Sequence, residues 1–392
     1  MQIAERLDKI RPSMTLAISS RAQELKAEGV PVISLAAGEP DFPTPQFVKD
    51  AAKKALDENY TRYMPVAGIM PLRKACAHYF ERYYGVKVPV ESVMIGAGGK
   101  QCLYTLIQTT INPGDEVIIP SPYWVSYPDM VLLAGGKPVF APTSAQNGFK
   151  TTPGELAKLA SSRTRMLILN SPCNPTGAVY DEAEFSAIMD WAGKNGIFVV
   201  SDEIYDQIVF KPAQAISAIS WFAKNPESCA VVNGLSKSYS MTGWRMGFMA
   251  AHPELVKKMC LVQGHSLSNV TSITQMAALA ALEGPDECIR EMRQAFERRR
   301  NLAMDIIAGW PKAVCPRPDG AFYLFIDVSA YYGGAISGSI EFCSWLLETA
   351  HVAAVPGAAF GDDKCIRLSY AVSDEALRKA LEQTGQALQK LA

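Results

Sequence analysis

Short apolar runs recur along this chain, and the segments between them carry apolar residues at three- and four-residue spacing. The runs read as buried strands and the spaced segments as amphipathic helices. Strands are predicted over Val93–Ile95, Asp115–Pro120, Arg165–Leu169, Gly196–Val200, Cys229–Val232 and Met246–Ala251, and helices over Leu72–Tyr84, Pro253–Gln263, Ile273–Glu283 and Pro285–Ala308. Thr44 followed by Pro45 has the form of an N-cap with proline at the first helical position, opening a helix to about Leu56. A shorter strand at Ser34-Leu35 runs into the turn Gly38-Glu39-Pro40-Asp41-Phe42. Towards the C-terminus, Gly320–Asp327, Val352–Pro356 and Cys365–Tyr370 read as strands, with a helix from about Ile340 and a last one capped near Ser373-Asp374. Strands alternating with helices over most of the length predict an α/β fold on a largely parallel sheet. The helix Pro285–Ala308 is long enough to link two domains, and its Arg298-Arg299-Arg300 run reads as a solvated face.

A length of 392 residues suggests two or three domains, and 48% hydrophobic residues suffice for a large core. The 38 basic residues are balanced by 39 acidic ones, which leaves no electrostatic footprint for nucleic acid. No apolar run approaches the length of a membrane span. The opening Met1-Gln2-Ile3-Ala4-Glu5-Arg6 lacks the apolar region of a signal peptide. Nine scattered cysteines without a CxxC pair fit reduced thiols in the cytoplasm better than a disulfide frame or a zinc site. The histidines at 78, 252, 265 and 351 show no ligand spacing, so no metal is expected.

The ends of the predicted strands carry the candidate chemistry. The Cys229–Val232 run leads into Asn233-Gly234-Leu235-Ser236-Lys237, and Arg245 follows in Met241-Thr242-Gly243-Trp244-Arg245. A lysine at the end of a buried strand is costly to keep charged, so its pKa falls and it becomes a nucleophilic amine. An arginine and hydroxyls nearby could hold a phosphate. A Schiff base on Lys237 beside a phosphate clamp suggests pyridoxal phosphate; a solvated Lys and Arg is the plain alternative. Gly98-Gly99-Lys100 follows another strand and opens a helix, where free N–H groups bind anions. The spacing is not that of a dinucleotide fingerprint. Lys100 opposes the helix dipole there, which hints at an anionic partner. Tyr123-Trp124 could stack on a flat ring or pack in a core. Asn174 sits in a proline-rich turn, and Asp202, with Tyr205 after it, ends the most buried-looking strand and must be paired or solvated. Ligands of parallel sheets bind outside the carboxyl ends of the strands, so the shared placement of these groups outweighs any one of them. Arg367, alternating with Ile366 and Leu368, leaves a sheet on one face.

Taken together, these residues resemble the fold-type I, pyridoxal-phosphate-dependent aminotransferases of class I, over essentially the whole chain. The segments that carry the resemblance are Ser-Lys-x-x-x-Met-Thr-Gly-Trp-Arg-x-Gly at 236–247, Asn-Pro-Thr-Gly at 174–177, Ser-Asp-Glu-Ile-Tyr at 201–205 and Arg-Leu-Ser-Tyr at 367–370. The match is to the bacterial aspartate aminotransferases of the branch that also holds prephenate aminotransferases. It implies a mostly parallel seven-stranded sheet in a large domain of 46–295, and a small α/β domain of 296–392 joined by the arm 1–45. It implies that Lys237 holds the cofactor and shuttles the proton, Asp202 pairs with the pyridine nitrogen, and Tyr205 and Asn174 reach the phenolic oxygen. Trp124 would stack on the ring, Gly98, Gly99, Lys100 and Arg245 would cup the phosphate, and Tyr63 would reach the phosphate in the neighbouring subunit of a homodimer. Gly38 and Arg367, with Asn174 and Trp124 alongside, would bind the substrate, Lys100 its distal carboxylate, and Thr15 would lie near the same pocket. The chain departs from the family at Gly234, where a phosphate-binding serine is usual; Ser236 is a substitute. Aspartate and 2-oxoglutarate are the expected substrates. Prephenate or aromatic transamination and β-elimination are the rivals within enzymes, and a ligand-binding regulatory module is the rival outside them. Residues 1–30 offer no DNA-binding extension for the last.

Overall fold

The structure, a computed structural model, describes residues 3–10 and 14–391, without the side chains of 14–19 and 26. Strand periodicity sets its centre. Along Thr164–Asn170, Leu167 and Leu169 join one apolar cluster while Met166 and Ile168 join another. Buried on both faces, such strands lose the polar alternation of a half-exposed sheet.

In chain order, helix α1 (Met14–Ala27) leads to strand β1 (Ile33–Ser34), then to α2 (Gln46–Asp57) and α3 (Met70–Tyr84). The stretch from 93 to 194 holds β2 (Val93–Gly96), α4 (Gly99–Thr110), β3 (Glu116–Ser121), α5 (Ser126–Leu133), β4 (Lys137–Pro142), α6 (Pro153–Ala157), β5 (Thr164–Asn170) and α7 (Glu182–Lys194). It continues with β6 (Phe198–Asp202), α8 (Ile219–Lys224), β7 (Cys229–Gly234), the single turn α9 (Leu235–Ser238) and β8 (Gly247–Ala250). Helices α10 (Pro253–Ser266), α11 (Ser272–Glu283) and α12 (Glu287–Ile307) follow. The remainder comprises β9 (Tyr323–Asp327), α13 (Ser339–Ala350), β10 (Val352–Ala353), β11 (Val355–Pro356), β12 (Cys365–Ser369) and α14 (Asp374–Leu388).

The seven-stranded sheet runs β2-β8-β7-β6-β5-β3-β4. Its pairings are parallel except those of β8, which is antiparallel to both β2 and β7. Strands β2, β3, β5, β6 and β7 therefore all end at one edge, and β8 begins there. One face packs against α3, α7 and α11 through residues such as Phe80, Phe185 and Ala277; the other packs against α4 and α10 through Leu103, Leu106 and Met259. A second core gathers Leu324, Ile326, Phe342, Leu346, Leu377 and Leu381 around the antiparallel sheet β11-β12-β9. Helix α12 contributes Ile289 to the first core and Phe296, Ala303 and Ile307 to the second, so it ties the two together. Strand β1 pairs in parallel with β10, joining the N-terminal segment to this second unit.

Three local expectations change, and one strand was not expected. Pro45 is the N-cap of α2 and no side chain caps that end; Thr44 instead donates to the Ser240 carbonyl at 2.7 Å and accepts from Trp244 Nε1 at 2.9 Å. The run Val352–Pro356 is two strands in different sheets, because each half finds a separate partner, Ile33-Ser34 or Ile366-Arg367. Strand β4 escapes the apolar pattern because it lies at the sheet edge and fully buries only Ala141. Of the three arginines in the 298–300 run of α12, only Arg298 is solvated; Arg299 and Arg300 are buried at 6% and 1% exposure. Both find acceptors inside, Arg299 on Asp41 and Arg300 on the Pro318 carbonyl, which is what burial of a charge requires. Among the described residues, no helix is long and apolar enough to cross a membrane.

Candidate active site

The strand ends open onto one cavity of about 650 Å³, a volume typical of small-molecule sites. Gly38, Gly98, Gly99, Lys100, Trp124, Asn174, Asp202, Tyr205, Ser236, Lys237, Arg245 and Arg367 all line it. Tyr63 does not: it stands on the loop before α3 with 90% of its surface exposed. Thr15 lies in α1, and its side chain falls outside the described residues. Tyr123 turns away from the cavity and stacks on Phe140 at 5.0 Å, which leaves Trp124 as the aromatic of this wall.

Lys237 sits in the one-turn helix α9, directly after β7. A Cβ on Gly234 would lie 3.0 Å from Ile204 Cδ1 and from the Met246 carbonyl, so this turn has little room for a serine there. Ser236 is buried on the cavity wall instead. Lys237 Nζ donates to the Gly38 carbonyl at 2.5 Å. Burial draws its pKa down to about 8; Glu39 and Asp202 oppose the shift, and the Arg367 and Arg245 charges add to it. The amine is thus partly neutral near physiological pH, as a nucleophile or base must be.

Asp202 is the last residue of β6 and is buried. Its Oδ2 accepts from the Tyr127 hydroxyl at 2.6 Å and its Oδ1 from the Ile204 N–H at 3.3 Å. Burial lifts its pKa to about 6, while those two donors and Lys237 pull the other way. Asn170 fixes the same strand end: its Nδ2 donates to the Asp202 carbonyl at 2.9 Å, and its Oδ1 accepts from the Asn174 N–H at 2.8 Å.

On the opposite flank, β8 crosses the turn after β2. A Cβ on Gly247 would fall 2.3 Å from the Gly99 nitrogen, and one on Gly98 (φ +86°) would fall 2.8 Å from Arg245 Nη2. Only glycines permit this crossing. It brings the Arg245 guanidinium against the start of α4, whose first N–H groups have no acceptor within the helix. Arg245 Nη1 is steadied by the Thr242 carbonyl at 2.8 Å. Lys100 Nζ stands 4.9 Å from the centre of the Trp124 ring. Partial burial and the Arg245 charge lower its pKa.

Arg367 is buried between Tyr323 and Phe360, 4.5 and 4.9 Å from their ring centres. Its Nη1 donates to Asn174 Oδ1 and its Nη2 to the Ala36 carbonyl, both at 3.0 Å. Burial lowers its pKa, with the Tyr323 and Tyr205 hydroxyls opposing. Nε has no partner. The Tyr205 and Tyr323 hydroxyls meet at 2.9 Å, and burial raises the pKa of Tyr205 well above its ordinary value, so it is a neutral donor.

Sequence reasoning missed Tyr127, Asn170 and Tyr323, which hold Asp202, Asn174 and Tyr205. Asn170 and Tyr323 had a faint signal, a polar-tipped residue at one end of an apolar strand; Tyr127, in α5, had none. Glu39 and Thr242, which also line the cavity, bond to each other at 2.7 Å.

The donor set suits a phosphorylated aromatic aldehyde. It has an amine of lowered pKa, a buried carboxylate that could pair with a ring nitrogen, an aromatic wall, a glycine cradle with an arginine that could take a phosphate, and a buried arginine with an unpartnered donor. Residues 30–383 match the family of class I and II aminotransferases. The chain belongs to that family, and its cofactor is pyridoxal phosphate; it is an enzyme that passes an amino group between an amino acid and a 2-oxo acid.

Its relatives narrow the likeness further. The chain is 45% identical to the aspartate aminotransferase of Geobacillus stearothermophilus, over 98% of each. It is 44% identical to the aspartate/prephenate aminotransferase of Cereibacter sphaeroides, over 96% of each. The solved aspartate aminotransferase of Thermus thermophilus with maleate superposes with a TM-score of 0.93 at 39% identity, covering 99% of this chain and 100% of that one.

Proposed function

We propose that the protein transfers the amino group of L-aspartate to 2-oxoglutarate by a ping-pong reaction. The observation that carries this reading is the pairing of two separate cations, Arg367 and Lys100, in one cavity with Lys237. A dicarboxylate needs two such anchors, and a monocarboxylate needs one. The relatives named for aspartate, and the solved relative bound to the four-carbon dicarboxylate maleate, support it.

Pyridoxal phosphate, when bound, supplies an electron-accepting ring for the pair left at the substrate α-carbon. The chain's own residues do the rest. Lys237 would hold the cofactor, and its amine would serve as the base that takes the substrate α-proton. Asp202, kept ionised by Tyr127, would hold a proton on the ring nitrogen. Tyr205 and Asn174 would serve the phenolic oxygen, and Trp124 would cover the ring face. Gly98, Gly99, the Lys100 backbone, Ser236 and Arg245 would hold the phosphate. Gly38 and Arg367 orient the α-carboxylate, the latter with a planar fork that lysine cannot copy. The Lys100 side chain binds the distal carboxylate. Tyr63, exposed here, fits completion of the site of a second copy in a homodimer. The same two cations would accept glutamate and prephenate, so the second reading is transamination of prephenate.

The test is single-turnover spectroscopy of the yellow holoenzyme with aspartate, glutamate, alanine and phenylalanine, followed by turnover with 2-oxoglutarate and prephenate. Aspartate and glutamate should shift the visible band fastest. Equal rates for all four, or a colourless protein after supply of pyridoxal phosphate, would overturn the reading.

A further inference from the structure

We propose that Arg299 is a positioning residue for the reaction, acting through Asp41 on the strap of residues 38–44 whose first carbonyl holds Lys237. Arg299 Nη1 and Nη2 donate to the two oxygens of Asp41 at 2.8 and 2.9 Å, and its Nε donates to Asp374 at 3.0 Å. The guanidinium carbon lies 5.3 Å from the Phe42 ring centre and 5.7 Å from that of Phe296. One buried side chain thus joins the strap to the middle of α12 and to the first residue of α14.

The strap is not part of any ladder, so side-chain contacts set its place. Its other margin is tied to residues 240–245. Thr242 Oγ1 donates to Glu39 at 2.7 Å, Thr44 donates to the Ser240 carbonyl, and Trp244 Nε1 donates to Thr44. Between these attachments the Gly38 carbonyl accepts from Lys237 Nζ. A two-pronged bond to one carboxylate fixes both distance and orientation, which a single ammonium contact does not. Release of Asp41, three residues from Gly38, therefore unlocks the carbonyl that registers the amine. Geometry at reacting atoms tolerates such shifts poorly.

The kinetic arm of the test rests on the aminotransferase reading; its exchange arm does not. Holoenzymes carrying Arg299→Lys, Asp41→Asn, both changes, or Arg298→Ala are compared at a temperature where all are folded. Arg298 bonds Asp374, and among the described contacts it has none to Asp41, so it is the control. Amide exchange of residues 36–44 should quicken about tenfold in Arg299→Lys and in Asp41→Asn, without matching changes in α12 or α14. In both, kcat should fall about tenfold with cofactor content unchanged. The double variant should be no worse than either single, as expected of one shared contact. Arg298→Ala should resemble wild type in both readouts. An Asp41→Asn enzyme with wild-type exchange and kcat would overturn the proposal, leaving Arg299 as a helix-packing residue. Faster strap exchange with unchanged kcat would overturn it equally. A wild type inactive with aspartate would fail the substrate assignment alone, because the exchange arm reads the strap directly.

Discussion

The Tyr127 hydroxyl donates a 2.6 Å hydrogen bond to the carboxylate of Asp202, and both groups are buried. A hydrogen bond to a charged group is worth about 1.5–3 kcal/mol. Tyr127→Phe should therefore raise the Asp202 pKa above about 6 and weaken cofactor retention at neutral pH by about tenfold or more. Asp202→Asn should fold normally but lose at least about 10²-fold in kcat, because an amide cannot hold the ring-nitrogen proton by charge. Equilibrium dialysis of cofactor against pH reads the first variant. Near-normal turnover in the second would mean that another group faces the nitrogen.

The Lys237 amine should titrate near pH 8 in the cofactor-free protein rather than at its ordinary 10.5. Between those values the unfolded chain binds more protons than the folded one, so this group makes folding more favourable as pH rises from about 8 to about 10.5. Below about 8 it opposes folding by a constant amount. Amine labelling at Lys237, followed by peptide mapping across pH, checks the midpoint. A midpoint at the value of a free lysine would remove the argument for a poised base. Lys237→Ala should bind cofactor yet show no multiple turnover.

Lys100→Met should cost aspartate about 30- to 150-fold in kcat/KM, the worth of a desolvated ammonium–carboxylate contact of roughly 2–3 kcal/mol. Alanine and phenylalanine, with no distal charge, should lose little. The comparison needs kcat/KM for both kinds of substrate in both proteins. A uniform drop would assign Lys100 to the cofactor phosphate and remove the main support for a dicarboxylate substrate.

Tyr63 gives a test of shared sites. Tyr63→Ala and Lys237→Ala proteins, each severely impaired, should on mixing recover roughly a quarter of wild-type activity. Half of randomly reassorted dimers are hybrids, and each hybrid has one complete site of two. Full activity in a dilute monomer would contradict this.

The strands of the large sheet were legible because they are buried on both faces and read as uninterrupted apolar runs. Strand β4 was not, since only Ala141 among its residues is fully buried. Lys237, Asp202 and Asn174 were legible as polar residues placed where a parallel sheet presents its ligands; Arg367, inside the antiparallel strand β12, showed only as a charged residue alternating with apolar ones. Their supporting partners were not legible. Tyr127 is 75 positions from Asp202, and Arg299 is 258 from Asp41. No local pattern distinguishes an arginine that finds a buried carboxylate from its solvated neighbour Arg298. The glycine crossing of β8 over the turn after β2 was equally hidden. A glycine required by close approach looks in sequence like one required by a turn.

Arg367 donates to the carbonyl of Ala36 across 331 positions of chain, and this governs what the ribosome can release in working form. A product truncated before β12 would still carry Lys237, Asp202 and Arg245, with the sheet that holds them. It would lack the guanidinium proposed to hold the substrate α-carboxylate, so uptake of cofactor would not report that anchor. Contacts between such distant segments also form late and slowly. With Arg367 in the proposed role, competence for catalysis arrives at the very end of synthesis, and cofactor uptake alone is a poor measure of intact enzyme in an expression culture.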